Sequence, residues 1–407
     1  MNCRHCGNTL TQSLIDLGFA PPSNAYLEKK ELSKSEIFYP LRVRVCDKCW
    51  LVQTEDFVAA KEFFSNDYAY FSSTSTSWLK HAESYCKAIT KKLNLGKKSM
   101  VVEIASNDGY LLKNFISSGI SCLGIEPTES TALVAEKLGI PVIKNFFGVE
   151  LVNSKALKGI KASLIIGNNV YAHVPDINDF TLGMKKLLSN DGTITLEFPH
   201  LLKLIKHKQF DTVYHEHFSY LSLYTAQLIF KNAGLKIYDV EELETHGGSL
   251  RIYGCHADDK KRISNKVKEI LLIEKKYGLQ TKNLYKSFQK KVDAIKNNLV
   301  QFLIEQKIAG KKVVAYGAAA KGNTLLNYAG IKPDLINYVC DAGKAKQGKY
   351  MPGSHIPILS PDKIMLNNPD YILILPWNIA EEVKSQLFIL RSQGVKFITA
   401  IPHLIID

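Results

Sequence analysis

The sequence predicts an α/β protein: two doubly wound parallel sheets behind a small cysteine-bearing module. Three observations lead there: helical and strand patterns alternate from about residue 75 to 255, they alternate again from Lys312 onward, and two Cys-x2-Cys pairs punctuate a turn-rich N-terminal stretch. The expected partition is 1–72, 73–257, a helical connector at 258–308, and 309–407. A chain of 407 residues fits this at roughly 100–200 residues per domain. Its 46% apolar and 22% charged residues are ordinary for globular protein and exclude a wholly disordered or collagen-like chain.

The N-terminal region carries Cys3, Cys6, Cys46 and Cys49, with a strand-like run, Phe38 to Val45, leading into the second pair. Two-residue spacing lets both thiolates of a turn face one ion, and two such turns complete a tetrahedral zinc site. Four sulfurs leave no open position, so the zinc is expected to be structural and to hold together a module too small to fold unaided. From Ser77 to Leu93 the periodicity is helical. Met100 to Ile104 is an apolar strand, Leu111 to Ser118 a helix, and Ser121 to Ile125, Ala162 to Ile166 and Thr193 to Glu197 are further strands. Leu235 to Val240 and Ser249 to Tyr253 close this region as an edge hairpin. Residues 260–308, rich in Lys and free of Pro, are expected to form a long helical connector. Strands at Lys312 to Gly317, Ile336 to Cys340, Tyr371 to Leu375 and Lys396 to Ile401 build the last sheet.

The net charge of +13 is almost all lysine, dealt out in pairs along the chain, with no Arg-rich tract. That pattern marks solvated helix faces, and no nucleic-acid partner is expected. Apolar runs such as Ala162 to Ile166 fall far short of the roughly 20 residues a membrane span needs. The opening MNCRHCGN has no apolar signal core, so a cytoplasmic location without a membrane partner is expected.

The loop after the first strand of the central region reads Glu103-Ile104-Ala105-Ser106-Asn107-Asp108-Gly109. A pyrophosphate-binding turn needs G-x-G-x-x-G, so that backbone amides can approach the anion. Here only Gly109 is glycine, and Glu103 would repel a phosphate. S-adenosylmethionine (SAM) instead carries a cationic sulfonium and an ammonium group, which acidic and amide side chains suit. Glu126, ending the next strand before Pro127, is placed to take both ribose hydroxyls. Asn168, Asn169 and His173 follow the third strand and His200 the fourth, at strand ends where open α/β sheets bind ligands.

The densest constellation is Asp211-Thr212-Val213-Tyr214-His215-Glu216-His217-Phe218. A metal site through His215 and His217, a satisfied polar turn, and a general-base site are all compatible with it. The last would need a His base oriented by a Glu with a Tyr nearby. Further on, His246-Gly247-Gly248 permits close backbone approach, either to a substrate or to a neighbouring strand. Gly317-Ala318-Ala319-Ala320-Lys321-Gly322-Asn323 is a second glycine-bearing turn, with small residues, a Lys and no acid, and it suits phosphate.

These segments occur in an order that resembles the sugar C-methyltransferases acting on nucleotide-linked keto-deoxysugars. The paired knuckles, Pro22-Ser23-Asn24, Tyr70-Phe71-Ser72-Ser73, the Glu103 to Gly109 loop, Gly124-x-Glu126-Pro127, Asn169 to Val174, Tyr214 to His217, His246 to Ser249 and Tyr316 to Asn323 carry the likeness, which spans nearly the whole chain. The resemblance implies a zinc domain, a central Rossmann-like class I methyltransferase domain using SAM, and a C-terminal Rossmann-like domain, with nucleotide-sugar bound between the last two. It implies methylation at C3 of a 4-keto-6-deoxysugar, with His217 as the base, Tyr214 and Glu216 as its partners, and Tyr70 and His173 near the keto oxygen. SAM then belongs to Glu103, Ser106, Asn107, Asp108, Gly109, Glu126, Pro127, Asn168 and Asn169. The substrate belongs to His200, His246, Gly247, Lys321, Gly322 and Asn323, with Lys321 as counter-charge to the diphosphate. The enzyme is expected to work as a monomer. Many such loops carry glycine where this chain has Ala105, which is tolerable there if the residue keeps negative φ. Asp341, ending a strand of the last sheet, keeps a nicotinamide-dependent nucleotide-sugar oxidoreductase as the alternative.

Overall fold

The computed structural model describes residues 1–57 and 72–407. In the N-terminal region, apolar residues alternate along β1 (Gln12–Ala20) and β2 (Tyr39–Val45), which pair antiparallel, and β2 pairs in turn with β3 (Val52–Thr54). The fourth strand of this sheet, β9 (Ser219–Tyr220), comes from the middle of the chain, immediately after the Tyr214 to Phe218 cluster. Strand β1 had no clear signature in the sequence. Its register shifts between Asp16 and Phe19, with Gly18 at φ +74, and the bulge interrupts the two-residue period.

The central sheet contains β4 (Met100–Ile104), β5 (Ser121–Ile125), β6 (Val142–Ile143), β7 (Ala162–Asn168), β8 (Leu188–Pro199), β10 (Leu235–Leu243) and β11 (Ser249–His256). Their order is β10-β11-β8-β7-β4-β5-β6, parallel from β8 to β6, with β11 antiparallel to β8 and β10 antiparallel to β11. Both faces are covered, which explains the unbroken apolar runs. Val102, Ile104 and Ile165 pack on one side, while Val101, Leu164 and Ile166 pack on the other against the helix Thr76–Leu93. The chain leaves β4 toward β5 and later returns to β7 on the opposite side. This reversal opens a crevice at the carboxyl ends of the strands.

The last sheet, β14-β13-β12-β15-β16-β17, is built from β12 (Val313–Tyr316), β13 (Val339–Cys340), β14 (Ile358–Leu359), β15 (Tyr371–Ile374), β16 (Lys396–Thr399) and β17 (Ile405–Ile406), all parallel except β17. The expected single connector is instead three helices, Asn265–Tyr277, Lys282–Lys286 and Phe288–Ile308. Gly278, at φ +93, ends the first by turning its N–H back to Glu274. The third is not a free spacer: Phe288, Val292, Ile295 and Leu299 share one core with Leu14, Ile15 and Leu17 of β1 and with Val313 and Ala315 of β12. Among the described residues no helix is long and apolar enough to cross a membrane.

Candidate active site

A cavity of about 920 Å³ occupies the crevice at the carboxyl ends of β4, β5 and β7. Its walls come from all three regions: the loop at Ala105 and Asn107, the Tyr214 to His217 cluster, Asn24 and Tyr26, and Lys321 with Asn378. A volume of several hundred Å³ is the size that small-molecule and cofactor sites occupy.

On the central-sheet side, Glu126 lines the cavity with its carboxylate held by two backbone amides, Asn107 at 2.9 Å and Thr128 at 2.9 Å. Burial pushes its pKa up, and these hydrogen bonds oppose the rise. Glu103 lies deeper, outside the lining. Burial holds its carboxyl well above the usual range, with Glu126 and Asp108 adding to the effect. Ser106, Asp108 and Gly109 also build the loop rather than face the cavity. Ser106 is fully buried against Gly124, Asp108 accepts the Ser73 N–H at 3.0 Å, and Gly109, at φ +76, packs on Ile140 and Ala135. Pro127, Asn168 and Asn169 line the cavity. Ala105 sits at φ +58, so the condition of negative φ is not met, and Asn107 and Asn169 are also left-handed at +49 and +54. The tight turn after β4 demands this conformation, and alanine adopts it at a cost of about 1–2 kcal/mol. Both amide atoms of Asn168 are buried without a protein partner among the described residues. Acids and orphaned amides around the cavity fit SAM, with the Glu126 carboxylate available to the ribose hydroxyls and the Asn168 amide to its other polar groups.

Facing this wall, His217 is fixed by Thr212, whose carbonyl lies 2.9 Å from Nδ1. Nδ1 must therefore donate, which leaves Nε2 as the unprotonated nitrogen. Burial lowers the pKa of His217 well below 6.5, and His173, whose ring centroid lies 4.5 Å away, lowers it further. His173 itself is held down at about 4 by burial. Tyr214 packs on His217 at 3.9 Å between centroids. The Glu216 carboxylate does not serve as the ring's Nδ1 partner; both its oxygens accept from the Asn24 amide, at 2.8 and 2.9 Å. His215 turns away toward the N-terminal sheet, where Tyr39 meets its ring edge-on, so it does not share an ion with His217. Tyr70 lies outside the described residues.

The expected substrate-side residues divide. His246 lines the cavity, 3.1 Å from the Asn169 amide, and burial lowers its pKa to about 4. Lys321 lines it too, donating to Asn378 at 2.6 Å above the Trp377 ring. Gly247, Gly322 and Asn323 lie behind the surface. A Cβ on Gly247 would collide with Trp377, Gly322 packs on Leu375, and the Asn323 amide donates to the Ser23 carbonyl. His200 is a correction: it is buried outside the cavity with Nε2 2.7 Å from Glu274, a carboxylate that also takes the Leu223 and Tyr224 amides. It joins helices rather than touching substrate. Asp341 is engaged by the Gly343 amide at 2.7 Å and by Lys346 at 3.5 Å.

Sequence reasoning missed the supports of the cluster. Asp211 accepts from the Trp377 indole at 2.7 Å, the Thr324 hydroxyl donates to the Val213 carbonyl, and the Thr54 hydroxyl donates to the His217 carbonyl at 2.7 Å. Burial raises Asp211 to about 6. The partners lie more than a hundred residues from the cluster, so no local spacing points to them.

The four cysteines meet as expected. Cys3 and Cys49 lie 3.5 Å apart, as do Cys6 and Cys46, and all four sulfurs fall within 4.8 Å of one another. A tetrahedral Zn–S₄ centre with bonds of about 2.3 Å needs sulfurs about 3.8 Å apart, so the cage fits zinc and closes around it. Gln53 donates to the Cys3 sulfur at 3.3 Å. Among the described residues this is the single group of His, Cys, Asp and Glu close enough to share an ion.

Three family models match the chain: a zinc binding domain over residues 3–64, a methyltransferase domain over 78–240, and a C-methyltransferase C-terminal domain over 244–402. The chain is 32% identical to the C-methyltransferase NovU of Streptomyces niveus over 401 residues, covering 98% of this chain and 95% of that protein. Solved structures overlap it in part. The magnesium protoporphyrin IX methyltransferase ChlM of Synechocystis with bound SAM shares 14% identity over 44% of this chain and 79% of its own (TM-score 0.34), and the YcgJ protein of Bacillus subtilis 12% over 44% and 100% (TM-score 0.36). The matched domains and the cavity make this an enzyme that uses SAM, which displaces the nicotinamide reading. With a full-length relative at this identity and all three domains matched in order, the chain belongs to the zinc-containing, SAM-dependent C-methyltransferases.

Proposed function

We propose that the enzyme methylates C3 of a nucleotide-linked 4-keto-6-deoxysugar through an enolate generated by His217. The observation that carries this reading is that His217 and the Ala105 to Asn107 turn line one cavity. A carbonyl at C4 acidifies the neighbouring C–H by delocalising the carbanion onto oxygen. The Thr212 carbonyl sets the tautomer that offers Nε2 to that proton, and burial keeps the ring neutral and ready. The imidazolium that forms is poorly solvated on its own, and the enolate created beside it offsets that penalty. Tyr214 and His173 flank the ring and orient the carbonyl end. Bound SAM supplies the electrophilic methyl that C3 takes. Lys321, at the N-terminus of the helix Ala320–Tyr328, faces the diphosphate; burial lowers its pKa, Asp211 opposes that fall, and the diphosphate adds to the support for its charge.

The test is incubation with labelled SAM and a panel of 4-keto-6-deoxy nucleotide sugars, with mass spectrometry and NMR of the products. One methyl at C3 is expected; methyl on oxygen or nitrogen, or none on any member, overturns the reading. His217→Asn is expected to abolish both turnover and solvent-deuterium exchange at C3 while SAM still binds. Exchange persisting in that variant would remove His217 from the base role.

A further inference from the structure

The sulfur cage and the base are joined by two residues. Cys49 leads through Leu51 directly into β3, where Gln53 is fully buried. Its side chain reaches back to the first knuckle: Nε2 donates to the Cys3 sulfur at 3.3 Å, and Oε1 accepts the Arg4 N–H at 2.9 Å. Its backbone pairs forward with Ser219 of β9. The next residue, Thr54, also buried, donates its N–H to the Phe218 carbonyl at 3.2 Å and its hydroxyl to the His217 carbonyl at 2.7 Å, while the Arg4 guanidinium returns to the Thr54 carbonyl at 3.1 Å. The stretch from Val213 to Phe218 has no ladder or helix of its own, so such outside partners fix its backbone.

We infer that the zinc module is a positioning device for His217, and that Thr54 is the positioning residue through which it acts. A knuckle held by its metal sets Gln53, Gln53 sets the register of β3 on β9, and the Thr54 hydroxyl then holds the carbonyl of the residue whose ring is aimed at substrate. Losing that hydroxyl leaves a buried carbonyl unpaired and lets the ring leave its bond to Thr212. A displacement well under 1 Å is enough to slow a proton transfer that depends on alignment. The turnover arm of the test rests on His217 being the base; the ring geometry does not.

The experiment compares Thr54→Val and Thr54→Ser in the full-length, zinc-loaded protein, with zinc content and SAM affinity measured alongside kcat, KM and the ¹⁵N shifts of the His217 ring. Thr54→Val is expected to lose about tenfold or more in kcat, with KM, zinc content and SAM affinity unchanged. Its ring shifts are expected to move toward mixed tautomers. Thr54→Ser is expected to restore kcat to within about threefold, because it returns the donor. Unchanged kcat and shifts in Thr54→Val, failure of Ser to rescue, or loss of zinc and SAM binding together would each overturn the inference, the last by making Thr54 a folding residue. If Thr54→Val does not fold, Gln53→Met tests the same link at similar volume: lower kcat and moved His217 ring shifts in a protein that still binds zinc and SAM are expected, and unchanged kcat and shifts, or loss of zinc and SAM binding together, overturn the inference. If no sugar turns over at all, the ring shifts still decide this inference while the proposed substrate fails.

Discussion

His217 meets two opposing demands in one side chain. Burial, His173 and Lys321 keep it neutral, and the Thr212 carbonyl keeps its proton on Nδ1. Because its pKa lies below the ordinary 6.5, the base form already dominates at neutrality and persists as pH falls through 6.5. The profile of kcat/KM is therefore expected to stay flat on acidification from neutrality through that value and to drop only below it. An acid limb centred at or above 6.5 would show a ring more exposed than described. Ala105 provides a second residue-level test. Glycine suits φ +58, although it gives up some backbone entropy on folding, so Ala105→Gly is expected to raise stability by about 0.5–1 kcal/mol in urea unfolding. A loss would mean that the methyl group packs usefully. The sequence signalled Ala105 as unusual because glycine is common there, but the sign of its φ depends on how the turn folds against β5. His200 carried a misleading signal for a similar reason. A histidine after a parallel strand suggests a ligand, yet its partner Glu274 lies on a helix 74 residues further on.

At the scale of elements, the strands β4, β5 and β7 were legible because short apolar runs ended in polar turns, and both-sided burial needs no alternation. β1 was not, since its bulge breaks the period, and the single connector failed because one glycine ends a helix that lysine-rich composition alone would continue. The close packing of β5 under the loop gives a further expectation. A Cβ on Gly124 would stand 2.5 Å from the Ser106 hydroxyl and 3.1 Å from its Cβ, against a residue with no room to retreat. Gly124→Ala should push the loop outward and weaken SAM binding by about tenfold or more, leaving nucleotide-sugar binding intact. Calorimetric titration of both ligands checks this; equal weakening of the two would point to general loosening.

For the whole molecule, the decisive feature is that N-terminal strands and the C-terminal domain share one core. Leu14, Ile15 and Leu17 lie with Val313, Ala315 and Ile398. Zinc removal is therefore expected to loosen more than the knuckles: amides of β12 and β15 should lose hydrogen-exchange protection on chelation, although they lie far along the chain from Cys3, Cys6, Cys46 and Cys49. Protection unchanged there would show that the C-terminal domain holds itself together. No sequence pattern announces such sharing, because each half shows only its own apolar period.

The bond from the Tyr26 hydroxyl to the Ala318 carbonyl, 2.6 Å long, links residues 292 positions apart at the cavity wall. On the ribosome, that wall cannot close until most of the polypeptide has emerged. At about 5–20 residues per second, β1 waits on the order of tens of seconds with its apolar face bare. The nascent enzyme is thus both catalytically silent and sticky until its final third arrives, so its yield in a cell should depend on chaperones that shield the opening segment of the nascent polypeptide.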